Sequence, residues 1–162
     1  MGAYTRIMPS FADSSYALTN ALQPVRRAWQ QAAGSALAAS GLSAPVATLI
    51  LLVSRLGDGV RQHMLAEEMG VNPAALVRTL DQAEEAQLLE RRTVPGNRRV
   101  REIALLPEGH RLAGELEQAV TALRDTLLAD MPREDIDTAT RVLRTLEENA
   151  RRHVEQERAQ SR

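Results

Sequence analysis

The chain has 162 residues, a formal net charge of −1 and no cysteine. That length suits one domain with a core or one subunit of a compact dimer. The missing cysteines exclude a disulfide scaffold, a cysteine redox sensor and a thiolate metal site. Ala, Leu, Arg and Glu are abundant and aromatics make up 2%, a helix-forming composition. All 20 basic residues are arginine, and the near-neutral total hides their segregation, so it does not exclude a polyanionic partner.

The first fifteen residues hold no apolar run with a cleavage site, and Met1-Gly2 lacks the downstream hydroxyl of a myristoylation signal. A cytoplasmic location is the expectation, with Met1 to Pro9 as an arm. The first long helix is predicted from about Asp13 to Ala39, with Leu18, Leu22, Val25, Trp29, Ala33 and Leu37 on one face. Pro24 falls inside it, and either kinks it or marks a restart capped by Asn20 with Gln23. From Ala28 to Ser54 no residue is charged, which raises a membrane span. Scattered Gln and Ser, with Gly41 and Pro45, interrupt the stretch short of the ~20 apolar residues a span needs. Two buried helices fit better, one ending near Ser40-Gly41 and one running from an N-cap at Ser43 to Leu56. No membrane partner is expected.

Gly57-Asp58-Gly59 reads as a turn, and Val60 as a short strand. From Gln62 to Met69 a short helix places Leu65 and Met69 on one face beside small Ala66. Gly70 supplies a left-handed C-terminal cap, and Asn72-Pro73 restarts the chain as N-cap and first helical residue. The second helix, Pro73 to about Gln87, keeps Leu76, Leu80 and Ala83 inside, with Leu88 beyond its end. Ala74, Ala75, Val77 and Arg78 are left outward or sideways. Two helices joined by so short a turn describe a helix-turn-helix.

LLERRTV and RRVREIAL then form the arms of a hairpin around Pro95-Gly96-Asn97. Five arginines and no acid lie from Arg91 to Arg101, a density that calls for an anionic neighbour, and double-stranded DNA is the natural one. Gln62 and His63 sit where a helix N-terminus meets phosphate. Arg78 can read guanine or hold a phosphate. The acids Asp81 and Glu85 restrict groove contact to the N-terminal half of the second helix. Asn72 offers an amide at the same edge. Asn97, Arg98, Arg99 and Arg101 are the wing candidates, with the arginines suited to phosphates and the minor groove. His63 and Glu67 have an i, i+4 spacing that metals use, but a single pair is no site. No metal, cofactor or catalytic residue is expected, since no nucleophile, metal cluster or carboxylate pair has a credible site.

Beyond the hairpin a helix is predicted from Pro107 to about Asp130, with Leu112, Leu116, Ala119, Leu123 and Leu127 as its stripe. Met131-Pro132 breaks it. A last helix carries Ile136, Thr140, Leu143, Leu146, Ala150 and Val154, and the tail after Val154 is expected to fray. Long one-sided helices at both ends imply a second copy. The expected division is 1–42 for an arm and dimerisation helix, 43–106 for the winged DNA-binding region and 107–162 for further dimerisation helices.

The run LAEEMGVNPAALVRTLDQAEEAQLLERR, followed by PGNRR and LLPEGHRL, resembles the MarR family of dimeric winged helix-turn-helix regulators from about Tyr16 to Val154. The chain departs from the family at Val94-Pro95-Gly96-Asn97-Arg98-Arg99, where the family usually has Asp-Pro-x-Asp-Arg-Arg. It departs again at Leu105-Leu106, where the family often has Leu-Thr. The resemblance implies a mainly α fold and a ligand-responsive repressor that binds a palindromic operator as a homodimer. It also implies a small aromatic or phenolic effector. Arg91 matches a position that pairs with a ligand carboxylate in some members, though the accompanying hydroxyl is replaced here by Val77. Trp29 is either the wall of such a pocket or ordinary core, and Arg91 either a ligand contact or a phosphate contact. A winged-helix protein-binding module without DNA binding is the alternative from another class.

Overall fold

The computed structural model describes residues 10–94 and 97–161, and gives only the backbone for Val94 and for residues 97–100. The expected arm at 1–9 and the Pro95-Gly96 turn lie outside the described residues. The fold is mainly α with one small antiparallel sheet. Helix α1 spans Phe11–Leu37, a short 3₁₀ turn follows at Ala38–Ser40, and α2 spans Ala44–Leu56. Strand β1 is Val60–Arg61, α3 is Gln62–Met69, and α4 is Pro73–Glu85. The hairpin is β2, Leu89–Val94, and β3, Asn97–Leu105. Helices α5, Pro107–Leu128, and α6, Arg133–Gln160, complete the chain.

α1 starts at Ser10, whose hydroxyl accepts from the Asp13 N–H while the Asp13 carboxylate accepts from the Ser10 N–H. This reciprocal capping box satisfies two orphan donors, and the Ser10 hydroxyl, which also donates to the Asp13 carboxylate, acts with the Ser10 N–H to hold that carboxyl below its ordinary value. The helix continues through Pro24 to Leu37, so of the two alternatives, a kink or a restart at Asn20, the restart does not occur. An exposed two-turn stretch on either side carries the helix past one missing hydrogen bond.

The core gathers around α2, where Val46, Ala47, Leu49, Ile50, Leu51 and Val53 are all buried. Leu65 and Ala66 of α3, and Leu76, Leu80 and Ala83 of α4, pack with it. So do Leu89 and Ile103 of the hairpin, and Leu112, Ala113, Leu116 and Val120 of α5. That burial explains the uncharged stretch only over α2; of the two buried helices expected there, the first is not one, since α1 buries only Leu37 within this chain. Among the described residues no single helix is long and apolar enough to cross a membrane. α1 with its 3₁₀ turn passes such a test only jointly with α2, and the pair is bent by 91°.

The sheet order is β1-β3-β2. Val60 sits opposite Ile103, which also faces Arg91. Gly59 donates its N–H to Ile103 O, and Asp58 accepts from the Leu105 N–H, which anchors the turn before β1 to the base of the hairpin. α5 meets that base with no room to spare. Leu88 O accepts from the Leu106 N–H at 3.0 Å, and a Cβ on Gly109 would fall 1.9 Å from the same oxygen.

Compact packing divides the chain into a unit through Leu123 and a second from Arg124. In the second, α6 contains no buried residue. It carries ion pairs at i, i+4 along its own length, Arg133 with Asp137 and Glu147 with Arg151 among them. The helix runs to Gln160, so the tail expected to fray after Val154 is helical.

Candidate nucleic-acid interface

The helix-turn-helix follows its sequence signals closely. Gly70 caps α3 at φ 64, ψ 34, with its N–H bonded to Glu67 O and the Val71 N–H to Ala66 O. The left-handed backbone is what makes glycine the fitting residue. The Arg26 guanidinium of α1 lies over this turn, 2.7 Å from where a Gly70 Cβ would be, and places a cation at the negative end of α3. Asn72 Oδ1 accepts from the Ala75 N–H at 2.8 Å. The Asn72 oxygen is thus committed to the N-cap, and its NH₂ is the group left for a partner.

Along α4 the buried residues are Leu76, Thr79, Leu80 and Ala83. Thr79 was not among the inner residues anticipated. Its hydroxyl donates to Ala75 O, which lets a polar side chain sit in the apolar face without an orphan donor. Ala74 and Arg78 are exposed, while Ala75 and Val77 are half-buried. Among the described residues no acid pairs with Arg78, so its guanidinium projects outward uncommitted.

Gln62 and His63 open α3 as expected. They line a cleft of about 360 Å³ together with Arg61, Ala66, Pro73, Leu76 and Arg101. The cleft brings the start of α3, the start of α4 and strand β3 to one place. It is walled by two arginines and a histidine, over a floor of Ala66, Pro73 and Leu76. Arg61 was missed in the sequence. The available signal was its position directly before the helix start, since a residue there shares the edge that Gln62 and His63 occupy.

The hairpin arginines do not act alike. Arg91, expected to face a ligand carboxylate or a phosphate, faces α4 instead. One Nη pairs with Asp81, its Nε lies 3.2 Å from Glu84, and its N–H donates to the same Glu84 carboxylate. Arg92 pairs with Glu90. The hairpin charge is therefore partly balanced within the chain, although no acid lies between Arg91 and Arg101 in sequence. Arg101 is exposed at the cleft. Asn97, Arg98 and Arg99 continue the strand backbone, and their side chains lie outside the described residues.

Trp29 is 38% exposed on α1 and so is not core within this chain. A second cavity of about 150 Å³ lies between the end of α1 and α5, bordered by Leu37, Ser40, Glu115 and Leu116 among others. Neither Trp29 nor Arg91 lines either cavity. Among the described residues no three His, Asp or Glu side chains gather as metal ligands.

A helix-turn-helix whose second helix lies beside an antiparallel hairpin, with the hairpin braced by a short strand ahead of the first helix, is a winged helix-turn-helix. Residues 40–100 match the family model described as MarR family. Solved structures extend the likeness beyond the winged region. A MarR-family transcriptional regulator from Rhodococcus sp. RHA1 is 25% identical with a TM-score of 0.71, covering 86% of this chain and 96% of its own. The transcriptional regulator PA3341 is 27% identical with a TM-score of 0.78, at 83% and 98% coverage. CouR from Rhodococcus jostii RHA1, solved bound to p-coumaroyl-CoA, is 26% identical with a TM-score of 0.70, at 80% and 90% coverage. Residues 40–100 thus match the MarR family's model, and the chain as a whole is similar to solved MarR-family transcriptional regulators.

Proposed function

We propose that the chain is a ligand-responsive repressor that binds a palindromic operator as a homodimer. The observation that carries this reading is Arg78, exposed on the N-terminal half of α4 and paired with no acid among the described residues, with Arg61, His63 and Arg101 gathered at a cleft beside the start of the same helix. In that arrangement α4 enters the major groove through Ala74, Ala75, Val77 and Arg78. Gln62 and His63, with the Asn72 NH₂, meet the flanking phosphates. Asn97, Arg98, Arg99 and Arg101 extend the contact along the wing. The acids farther along α4 stay clear of the backbone, and Arg91 pairs with Asp81 and Glu84, offsetting one of their two negative charges.

Homodimerisation is supported separately by α1 and by α6. α1 exposes Phe11, Tyr16, Leu18, Leu22, Val25 and Trp29, and α6 exposes Leu143 and Val154. Apolar rows of this length need a covering surface, and a second copy supplies one. The proposed division therefore keeps 43–106 as the DNA-binding region, with dimerisation helices in 1–42 and 107–162. Trp29 then belongs to a surface that assembly covers, where it can border a pocket for an aromatic acyl ligand, the chemistry bound by CouR.

The test is selection from random duplexes by the full chain. The reading predicts an enriched inverted repeat with half-site centres about 34–36 Å apart, one helical turn. Recovery of no preferred sequence, or of a single half-site, overturns it.

A further inference from the structure

We propose that Arg91 is a positioning residue of the DNA-binding surface, a clamp that sets recognition helix α4 against the wing before DNA arrives. The inference rests on the DNA-binding reading above, and deepens it by naming a residue that determines specificity without touching DNA.

Strand alternation puts Leu89 and Arg91 on one face of β2 and Glu90 and Arg92 on the other. Leu89 is fully buried, so Arg91 is directed inward with it, toward the helix that packs on the sheet. The acids Asp81 and Glu84 stand three residues apart on α4, on neighbouring positions of one helix face, and Arg91 reaches both. Glu84 closes the arrangement twice. Its Oε1 accepts the Arg91 N–H at 3.2 Å, and its Oε2 lies 3.2 Å from Nε. β2 is an edge strand, so this carboxylate occupies a donor that the sheet leaves open.

The Arg91 side chain is 15% exposed, whereas those of Asp81 and Glu84 are 58% and 44% exposed. Nε itself is sealed from water and makes no aligned hydrogen bond. A guanidinium held so far from solvent is not placed to reach a phosphate. What it does is tie the C-terminal half of α4 to the root of the wing. It also offsets one of the two negative charges that Asp81 and Glu84 put on the helix that must approach a polyanion. Without it α4 keeps its own cap and core contacts, but its angle to the wing and its net charge both change.

Two measurements on the full-length dimer test the clamp. The first needs no DNA. Amide hydrogen exchange at Arg91 is expected to quicken about tenfold in Glu84→Ala, where the acceptor is gone and α4 gains a strong helix former. Unchanged protection overturns the clamp. The second compares wild type, Arg91→Met, Arg91→Lys and Asp81→Ala/Glu84→Ala on a selected operator and on random duplex across salt.

The proposal expects Arg91→Met to lower the operator-to-random preference about tenfold while leaving the salt slope on random duplex unchanged. Arg91→Lys should recover part of the preference. Arg91→Met should do little more in the Asp81→Ala/Glu84→Ala background, because the clamp is already open. A salt slope lower by about one on both duplexes identifies a phosphate contact and overturns the proposal. So does an unaltered preference in Arg91→Met. A wild-type chain that bound no duplex would defeat the DNA reading instead, and the exchange measurement would still decide whether the clamp exists.

Discussion

Replacing Gly109 with alanine sets two effects of opposite sign against each other, and the structure says which wins. In a helix interior, Gly→Ala ordinarily stabilises by about 0.5–1 kcal/mol, because glycine loses more backbone freedom on folding. Gly114 of α5 has nothing within 4 Å of a built Cβ, so Gly114→Ala should show that gain. At Gly109, in the first turn of the same helix, the Cβ falls 1.9 Å from Leu88 O and 3.0 Å from its carbon. The obstacle is backbone and cannot rotate away, so α5 must withdraw by about 1.5 Å to reach an ordinary contact. Withdrawal stretches the Leu106 N–H to Leu88 O bond, worth about 1 kcal/mol. It also loosens Leu112, Ala113 and Leu116 against the core, and overpacking of this kind costs about 1–3 kcal/mol. After the propensity gain, Gly109→Ala should be destabilised by about 1–3 kcal/mol, while Gly114→Ala is stabilised. The assay is urea unfolding of both variants at one fixed protein concentration, since the stability of the proposed dimer would depend on concentration. Gly109→Ala as stable as Gly114→Ala would refute the close approach of α5 to the wing root.

Other consequences are smaller and equally direct. Asn72→Ala removes the α4 cap and should cost about 1 kcal/mol in thermal or urea unfolding, with Asn72→Asp retaining most of it. Acid unfolding should depend on Glu108, whose carboxyl the Arg111 guanidinium holds below the usual range by a hydrogen bond. A depressed carboxyl contributes above its unfolded pKa and is lost as pH falls through its folded pKa. Glu108→Gln should therefore flatten the acid limb of the stability curve and leave its slope near neutrality alone. Sedimentation at low micromolar concentration should show only dimer, and a well-folded monomer there would contradict the role given to the exposed faces of α1 and α6.

The stretch from Ser43 to Leu105 was largely legible because local signals and burial agree there. Gly70, Asn72 and Pro73 each announce a backbone conformation, and the hydrophobic period places Leu65, Leu76 and Leu80 in the core. Where the sequence misled, the deciding interaction was not local. Pro24 looks like a boundary, yet α1 tolerates it because that segment is exposed and no packing demands a break. α6 reaches Gln160 with none of its residues buried, so no core contact in this chain marks its end.

At the site, Arg91 was grouped with the other hairpin arginines because charge density carries no direction. Alternation from Leu89 points it inward. Only the packing of β2 on α4 brings Asp81 and Glu84 within reach. Arg61 was overlooked for a related reason. It acquires a role only when β1 pairs with β3 and brings Arg101 to the same cleft.

The most direct test of the central claim is a salt titration of wild type, Arg78→Ala and Arg99→Ala on a selected operator and on random duplex. The account predicts that Arg99→Ala weakens binding to both duplexes and lowers the salt slope by about one, as a lost phosphate contact does. It predicts that Arg78→Ala loses about 1–3 kcal/mol on the operator and relaxes preference at one base position, as a lost guanine contact does. Both variants should remain folded dimers, since Arg78 is exposed and Arg99 lies close to the hairpin tip. Wild-type affinity for both duplexes in Arg78→Ala and Arg99→Ala alike would contradict the account, and would favour a winged helix that binds protein instead of DNA.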